Sequence, residues 1–352
     1  MASNPLTPFV TDDGVLLLDG GLATALEDAG HRLDRMLWSA SLLRDRPDAI
    51  RATHRAYLAA GADCITTASY QASFEGFRRA GLDDDDSVAL LLRSSALALE
   101  ARDEWVAAAG SAVDADGPDR PARPKTPLVA ASIGPYGAHL ADGSEYHGRY
   151  GASVGELERF HHRRLGLLAE SGVDLLACET IPSQSEVGVL LDVLDRQRDD
   201  VFAWLSFSCR DERRLSDGSP IEEAVTMCSA RRRVAAIGVN CTAPAYVPEL
   251  IARAAEVTDR PLVAYPNSGE HWDATNKRWG EPSGPGREAV GDRRMSDESW
   301  MSGVLGALGA GARIVGGCCR TGPADIAELR RRIDLRDWGA EGLGGARRPP
   351  FA

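Results

Sequence analysis

Short apolar runs recur along the chain, separated by stretches in which apolar residues return every three or four positions. The runs are residues 15–18, 64–69, 128–133, 175–178, 202–207, 235–239, 262–265 and 314–315. Each is too short for a helix, and most end in glycine, proline, serine or asparagine, as buried parallel strands do. The intervening amphipathic stretches predict helices, among them 48–60, 155–171, 186–196, 248–257 and 296–308. Eight strand-then-helix units predict a single (β/α)8 TIM barrel rather than an open doubly wound sheet, and no GxGxxG follows the first run. On this pattern residues 1–337 form the barrel domain, 107–125 a surface insertion, 280–294 a rim loop after strand seven, and 338–352 a C-terminal tail. The alanine, proline and glycine of 107–125 predict a long helix running into a surface loop.

Composition narrows the class. A hydrophobic content of 43% with 26% charged residues is that of a folded chain with a large core. The formal net charge of -12 disfavours nucleic acid and anionic lipid as partners. The N-terminal residues lack a signal-peptide pattern and no apolar run reaches spanning length, so a cytoplasmic protein is expected. Seven cysteines without regular spacing fit a reducing compartment, where thiols serve as core residues, ligands or nucleophiles.

In a barrel the chemistry lies where the strands end at their C-terminal side. There the chain carries Asp19-Gly20-Gly21, Ser69-Tyr70-Gln71, Cys178-Glu179-Thr180, Asn240-Cys241 and Gly316-Gly317-Cys318-Cys319. Cys241 ends run six and the vicinal pair ends run eight, so the fold brings three thiols to one rim. Zinc takes thiolate at about 2.3 Å, which sets sulfurs roughly 3.7 Å apart; adjacent cysteines reach that only if the strand breaks between them. Gly316-Gly317 supplies the break. Three protein ligands leave a fourth position for a substrate, and so electron-rich a zinc suits a thiolate better than a water. Cys64, Cys178, Cys209 and Cys228 read as core residues. Asp19 and Glu179 are candidates for an α-amino group and the amide of Gly20 for a carboxylate. Asn240 either orients Cys241 or braces the rim. Tyr70, with Trp38, Tyr136, Tyr146 and Trp272, offers aromatic faces to a cation.

These residues lie in longer motifs. LLLDGGLATALE, LWSA, ITTASYQAS, SIGPYGAHLADGSEY, LLACETIP, LSDGSP, GVNC, YPNSGEHWDA and GGCCRTGPADI follow one another from about Leu16 to Arg330. In them the chain resembles the cobalamin-independent homocysteine S-methyltransferases, especially those using S-methylmethionine. The resemblance implies a barrel with catalytic Zn2+ on Cys241, Cys318 and Cys319, and homocysteine held by Asp19 and Glu179. It also implies S-methylmethionine or S-adenosylmethionine as donor, and methionine as product. Its donor contacts do not transfer to named positions, and it leaves the oligomeric state open.

Three other readings compete with this one. Betaine is an alternative donor to the same acceptor, whereas cobalamin use would need domains for which the chain has no room. A zinc-storing or redox-sensing barrel would use the cysteines alone, as a switchable or a vicinal disulfide, and leave Asp19 and Glu179 idle. A metal-free lyase or isomerase would use the acids and leave the cysteines idle.

Overall fold

The computed structural model describes residues 3–11, 14–31, 33, 40–112, 125–140, 142–269, 271–273, 278–280 and 293–336. Ten strands appear in chain order: β1 (Leu16–Leu17), β2 (Cys64–Thr66), β3 (Leu128–Ile133), β4 (Leu175–Ile181), β5 (Ala203–Phe207), β6 (Val234–Asn240), β7 (Leu262–Tyr265), β8 (His271–Asp273), β9 (Arg278–Gly280) and β10 (Ala312–Val315). Eight of them form one parallel sheet in the order β1-β10-β7-β6-β5-β4-β3-β2, while β8 and β9 make a separate antiparallel pair after β7. The sheet closes on itself: Leu18 bridges Cys64 in parallel, with Asp63 N donating to the Leu17 carbonyl at 2.7 Å and Asp19 N to the Cys64 carbonyl at 3.0 Å. This is the expected (β/α)8 barrel.

Each predicted helix forms within two or three residues of its expected bounds, as Pro47–Ala59, Val154–Ala169, Gln184–Asp195, Val247–Ala255 and Arg293–Gly309. Run four extends past Cys178 to Ile181, because the chain stays in the sheet through a register shift between those residues. Run two stops earlier, at Thr66. The helix Asp84–Ala112 covers the first residues of the 107–125 stretch, and 113–124 lie outside the described residues. So do 281–292 of the 280–294 stretch and the whole 338–352 tail. Among the described residues no helix is long and apolar enough to cross a membrane.

Alternation along the strands sorts their side chains into two cores. Leu176 and Cys178 face the helices, whereas Leu175 and Ala177 join Leu128, Ala130, Trp204, Ala236 and Val263 inside the barrel. The inner core also takes in Leu6, Phe9 and Val10 from the N-terminal segment, whose Asn4 Nδ2 donates to the Ala235 carbonyl at 3.2 Å. That segment therefore plugs the end where the strands begin. Followed two residues at a time toward the other end, the inward columns turn polar: Ala130 leads to Ser132, Ala177 to Glu179, Trp204 to Ser206 and Val263 to Tyr265. An apolar floor thus gives way to a polar rim.

Candidate active site at the barrel rim

The three rim sulfurs converge. Cys241, Cys318 and Cys319 place their Sγ atoms within 4.8 Å of one another, and among the described residues this is the only such group of potential metal ligands. Cys241 and Cys318 are paired as a disulfide with Cα atoms 5.5 Å apart, and Cys319 Sγ lies 3.5 Å from Cys241 Sγ. Of the two disulfides open from sequence, the bond formed is the one that joins Cys241 to the pair, across the ends of β6 and β10, and not the vicinal one. The other four cysteines are buried and free.

Local backbone produces the convergence. β10 ends at Val315, and no room for side chains exists beyond it: a Cβ on Gly316 would lie 2.6 Å from Leu18 Cβ, and one on Gly317 would overlap the Thr321 side chain. The chain leaves the strand there, held by Gly317 N to the Asp19 carbonyl at 3.0 Å and Cys318 N to the Pro266 carbonyl at 3.0 Å. Both cysteines of the pair then face Cys241, which a regular strand forbids. Cys241 itself has a left-handed φ of 48°, unusual for a residue with a side chain, and Thr180 across the rim has φ 60°. The Thr180 kink coincides with the β4 register shift, and Asn240 spans it: its Oδ1 accepts from Thr180 N at 2.6 Å and its Nδ2 donates to Thr180 Oγ1 at 2.7 Å. Asn240 Nδ2 is also 3.9 Å from Cys318 Sγ. Asn240 accordingly braces the rim and touches the sulfur of Cys318 rather than that of its neighbour.

Beside the sulfurs opens a cavity of about 120 Å³ whose lining includes Asp19, Gly20, Tyr70, Glu179, Cys318 and Cys319. Both acids are almost fully buried. Asp19 Oδ2 accepts from Thr66 N at 2.7 Å, and Thr66 Oγ1 lies 3.1 Å from the same oxygen. Burial pushes the Asp19 carboxyl up to about 8, against the lowering by the Thr66 amide, and the charge of Glu179 adds to the rise. Glu179 is raised by the same desolvation, opposed by two hydroxyls. Ser132 Oγ donates to its Oε1 and Tyr265 OH to its Oε2 at 3.0 Å, while Trp204 Nε1 donates to Tyr265 OH at 3.0 Å. Two acids that line one cavity and whose ionisation burial opposes would both be eased by a cation placed there.

Of the aromatics, Tyr70 lines the cavity, and Tyr146 has Cys319 among the groups that act on its hydroxyl. Tyr136 is packed against Tyr150, Phe160 and His139 instead, its amide donating to Glu186 Oε1 at 2.6 Å. Trp38 and the side chain of Trp272 lie outside the described residues. Sequence reasoning passed over Thr66, Ser132 and Tyr265. Their signal was a polar atom interrupting an otherwise apolar strand. It also passed over Glu145, one residue before Tyr146, which is buried and has its carboxyl pushed up to about 7 by desolvation.

Residues 16–333 match the family model described as homocysteine S-methyltransferase. A homocysteine S-methyltransferase of Bacillus subtilis is 40% identical over 326 residues, covering 93% of this chain and 96% of its own. The chain belongs to the homocysteine S-methyltransferase family. Among solved structures, the homocysteine methyltransferase of Escherichia coli in an oxidized form superposes with a TM-score of 0.78 at 39% identity, covering 94% of this chain and 100% of that one. Its metallated form gives 0.76 at 40% identity with the same coverage. For a homocysteine S-methyltransferase the rim has the right chemistry. Three sulfurs within one ligand sphere suit a thiophilic divalent ion, and desolvation pushes the Cys319 thiol up to about 12, which a cation beside it would oppose.

Proposed function

We propose that the chain transfers a methyl group from a sulfonium, S-methylmethionine or S-adenosylmethionine, to the thiol of homocysteine, with Zn2+ held by Cys241, Cys318 and Cys319. The observation that carries this reading is the shared pocket: two buried acids border one cavity with Cys318 and Cys319, whose sulfurs converge with that of Cys241. A zinc-storing or redox-sensing barrel needs the sulfurs and not the acids, and a metal-free lyase the acids and not the sulfurs. That the Escherichia coli relative has a metallated form supports a metal in this protein, for which the three sulfurs are the group of potential ligands found among the described residues.

Bound zinc with three thiolate ligands would lower the pKa of a fourth thiol while leaving its sulfur electron-rich enough to attack carbon. The remaining work falls to the protein. Asp19 and Glu179 take the α-ammonium of homocysteine, which neutralises a pair of carboxylates whose mutual repulsion and burial oppose ionisation. Ser132 and Tyr265 hold Glu179 in one orientation, and Thr66 holds Asp19, so the amino acid is positioned by groups already fixed before it binds. Gly20, which also lines the cavity, presents its backbone amide for the substrate carboxylate, while the Gly21 amide is held by the Thr321 carbonyl at 2.9 Å. Methyl transfer then forms one carbon–sulfur bond at the acceptor and breaks one at the donor, whose positive charge is lost as it leaves a neutral thioether. The acceptor becomes methionine.

The test is methionine formation from homocysteine by zinc-loaded protein offered S-methylmethionine, S-adenosylmethionine and betaine separately. Product from either sulfonium bears out the reading and ranks the donors. Product from betaine alone replaces the donor class, and no product from any of the three refutes the proposal.

A further inference from the structure

Two turns of the rim must grip opposite ends of one acceptor. The turn Asp19-Gly20-Gly21 after β1 offers a carboxylate to the ammonium, and the turn from Gly317 to Thr321 after β10 carries two of the three sulfurs. They are laced together backbone to backbone. Gly317 N donates to the Asp19 carbonyl at 3.0 Å and Gly21 N to the Thr321 carbonyl at 2.9 Å. Thr321 is fixed in turn to a sulfur-bearing residue, its N and Oγ1 donating to the Cys318 carbonyl at 3.3 Å and 2.6 Å. The position of the Thr321 carbonyl therefore reports the position of Cys318.

One side chain from outside both turns holds the two at once. Tyr57, near the end of the helix Pro47–Ala59, is fully buried in the core between sheet and helices. Its hydroxyl donates toward two carbonyls, that of Gly21 at 3.0 Å and that of Thr321 at 3.1 Å. A phenol has a single hydrogen, so the two acceptors share it, and parting the turns would cost one half of the bond. Neither carbonyl depends on it for satisfaction: Gly21 O also accepts from Ala25 N at 3.0 Å, and Thr321 O from Gly21 N. A phenylalanine would fill the same space with no hydroxyl to satisfy. The distinctive contribution of the hydroxyl is thus the tie itself. The fit is tight there as well, since a Cβ on Gly20 would lie 2.7 Å from the Thr321 carbonyl oxygen and 3.0 Å from the Tyr57 hydroxyl.

We propose that Tyr57 is a positioning residue that fixes the distance from the Asp19 turn to the metal-binding sulfurs, and thereby the length of amino-acid thiol the enzyme accepts. This rests on the acceptor reading above. The substrate sulfur must reach the metal while its ammonium sits at the acids, so the spacing of the two turns measures the carbon chain between them. Cysteine is one methylene shorter than homocysteine and cannot fill both places at that spacing. One methylene is worth about 10- to 200-fold in discrimination, and a displacement of about 1 Å can cost on the order of 100-fold in a positioned reaction.

The experiment compares full-length, reduced, zinc-loaded wild type and Tyr57→Phe, with S-methylmethionine as donor and homocysteine or cysteine as acceptor. Wild type should favour homocysteine in kcat/KM by at least about tenfold. In Tyr57→Phe that preference should fall by about 3- to 10-fold, the worth of one hydrogen bond, with zinc content and donor KM within about twofold of wild type. An unchanged preference overturns the assignment, even where both efficiencies fall together, which is what a merely structural role would give. A wild type with less than about tenfold preference overturns it too, because there is then no spacing for Tyr57 to enforce. Should Tyr57→Phe not fold, Thr321→Val takes its place: it removes the Oγ1 bond to the Cys318 carbonyl at the far end of the same tie and carries the same expectation. A wild type that forms no methionine from homocysteine removes the acceptor reading and this inference with it, before any variant is made.

Discussion

Asp19→Asn tests the acceptor pocket through the protein's stability as well as through its activity. The carboxyl stands near 8 in the folded chain against an ordinary value of 3.8, chiefly because burial disfavours its charge. Between those values the folded state binds a proton that the unfolded state has released. Stability therefore falls as pH rises from about 4 to about 8, by as much as ~1.4 kcal/mol per pH unit, and is level above that. Near pH 7 the accumulated penalty is about 4 kcal/mol, as an upper bound. Asparagine keeps the shape: its amide oxygen can still accept from Thr66 N, and its NH2 can donate to Thr66 Oγ1. Urea unfolding of metal-free, ligand-free, reduced protein should thus show the two proteins alike near pH 4, with the variant increasingly the more stable toward pH 8. Comparing the two at each pH cancels the contribution of Glu145, while Glu179, relieved of a like charge in the variant, shifts the difference in the same direction. Calorimetry supplies the ligand side. Methionine has an α-ammonium but no thiol proton, so its binding near pH 7 should expel about one proton fewer from the variant than from the wild type. Parallel stability curves together with equal proton release would refute the assignment of Asp19 as a desolvated carboxyl waiting for an ammonium.

Three further outcomes follow from the same geometry. Cys318→Ala should lose zinc by elemental analysis and methyl transfer together while its circular dichroism stays that of the wild type, because Cys318 only packs against the edge of the inner core and is not one of its buried members; full activity in this variant would sink the metal assignment. Peroxide applied after chelation should join Cys241 to Cys318, seen by peptide mapping, and abolish activity until reductant and zinc are both returned; a Cys318–Cys319 product would contradict the cross-strand geometry. Tyr265→Phe removes one of the two hydroxyls bonded to Glu179 and leaves Trp204 Nε1 without its acceptor. It should raise the homocysteine KM by about 10-fold with zinc content and donor KM unchanged, and a shift confined to the donor KM would place Glu179 on the wrong substrate.

Much of this was legible from patterning alone, for a physical reason. Parallel strands covered on both faces must be apolar throughout, so each barrel strand announces itself as a short run, and the residue that ends the run is carried to the rim. Asp19, Glu179, Asn240 and Cys241 were found that way. The N-terminal plug was not. Leu6, Phe9 and Val10 have no periodicity of their own to read, because one turn of helix fills a hole defined by strands far away in sequence. Ser132 and Tyr265 were missed for the converse reason: they sit inside strands, where a polar atom looks like noise until its inward direction and its partner are known.

Least legible were the two kinks that make the rim. Nothing in the letters Glu179-Thr180-Ile181 or Asn240-Cys241-Thr242 marks a left-handed residue, and a threonine or cysteine in that region is uncommon because its side chain crowds the backbone. The strain is tolerable because each kink is tied from outside its own strand. The Asn240 side chain satisfies the Thr180 amide and hydroxyl, and Cys241 N donates to the Tyr265 carbonyl at 3.2 Å. The same two ties couple the acid to the sulfurs. Asn240 reaches from the kink beside Glu179 to Cys318 Sγ, and Tyr265 gives its hydroxyl to Glu179 and its carbonyl to Cys241. A shift of either strand end would therefore move Glu179, the proposed amino-acid anchor, and the sulfur cluster together. That coupling is what the reaction requires, since a thiol is useful for attack only if the ammonium and the sulfur of one small molecule are both in place.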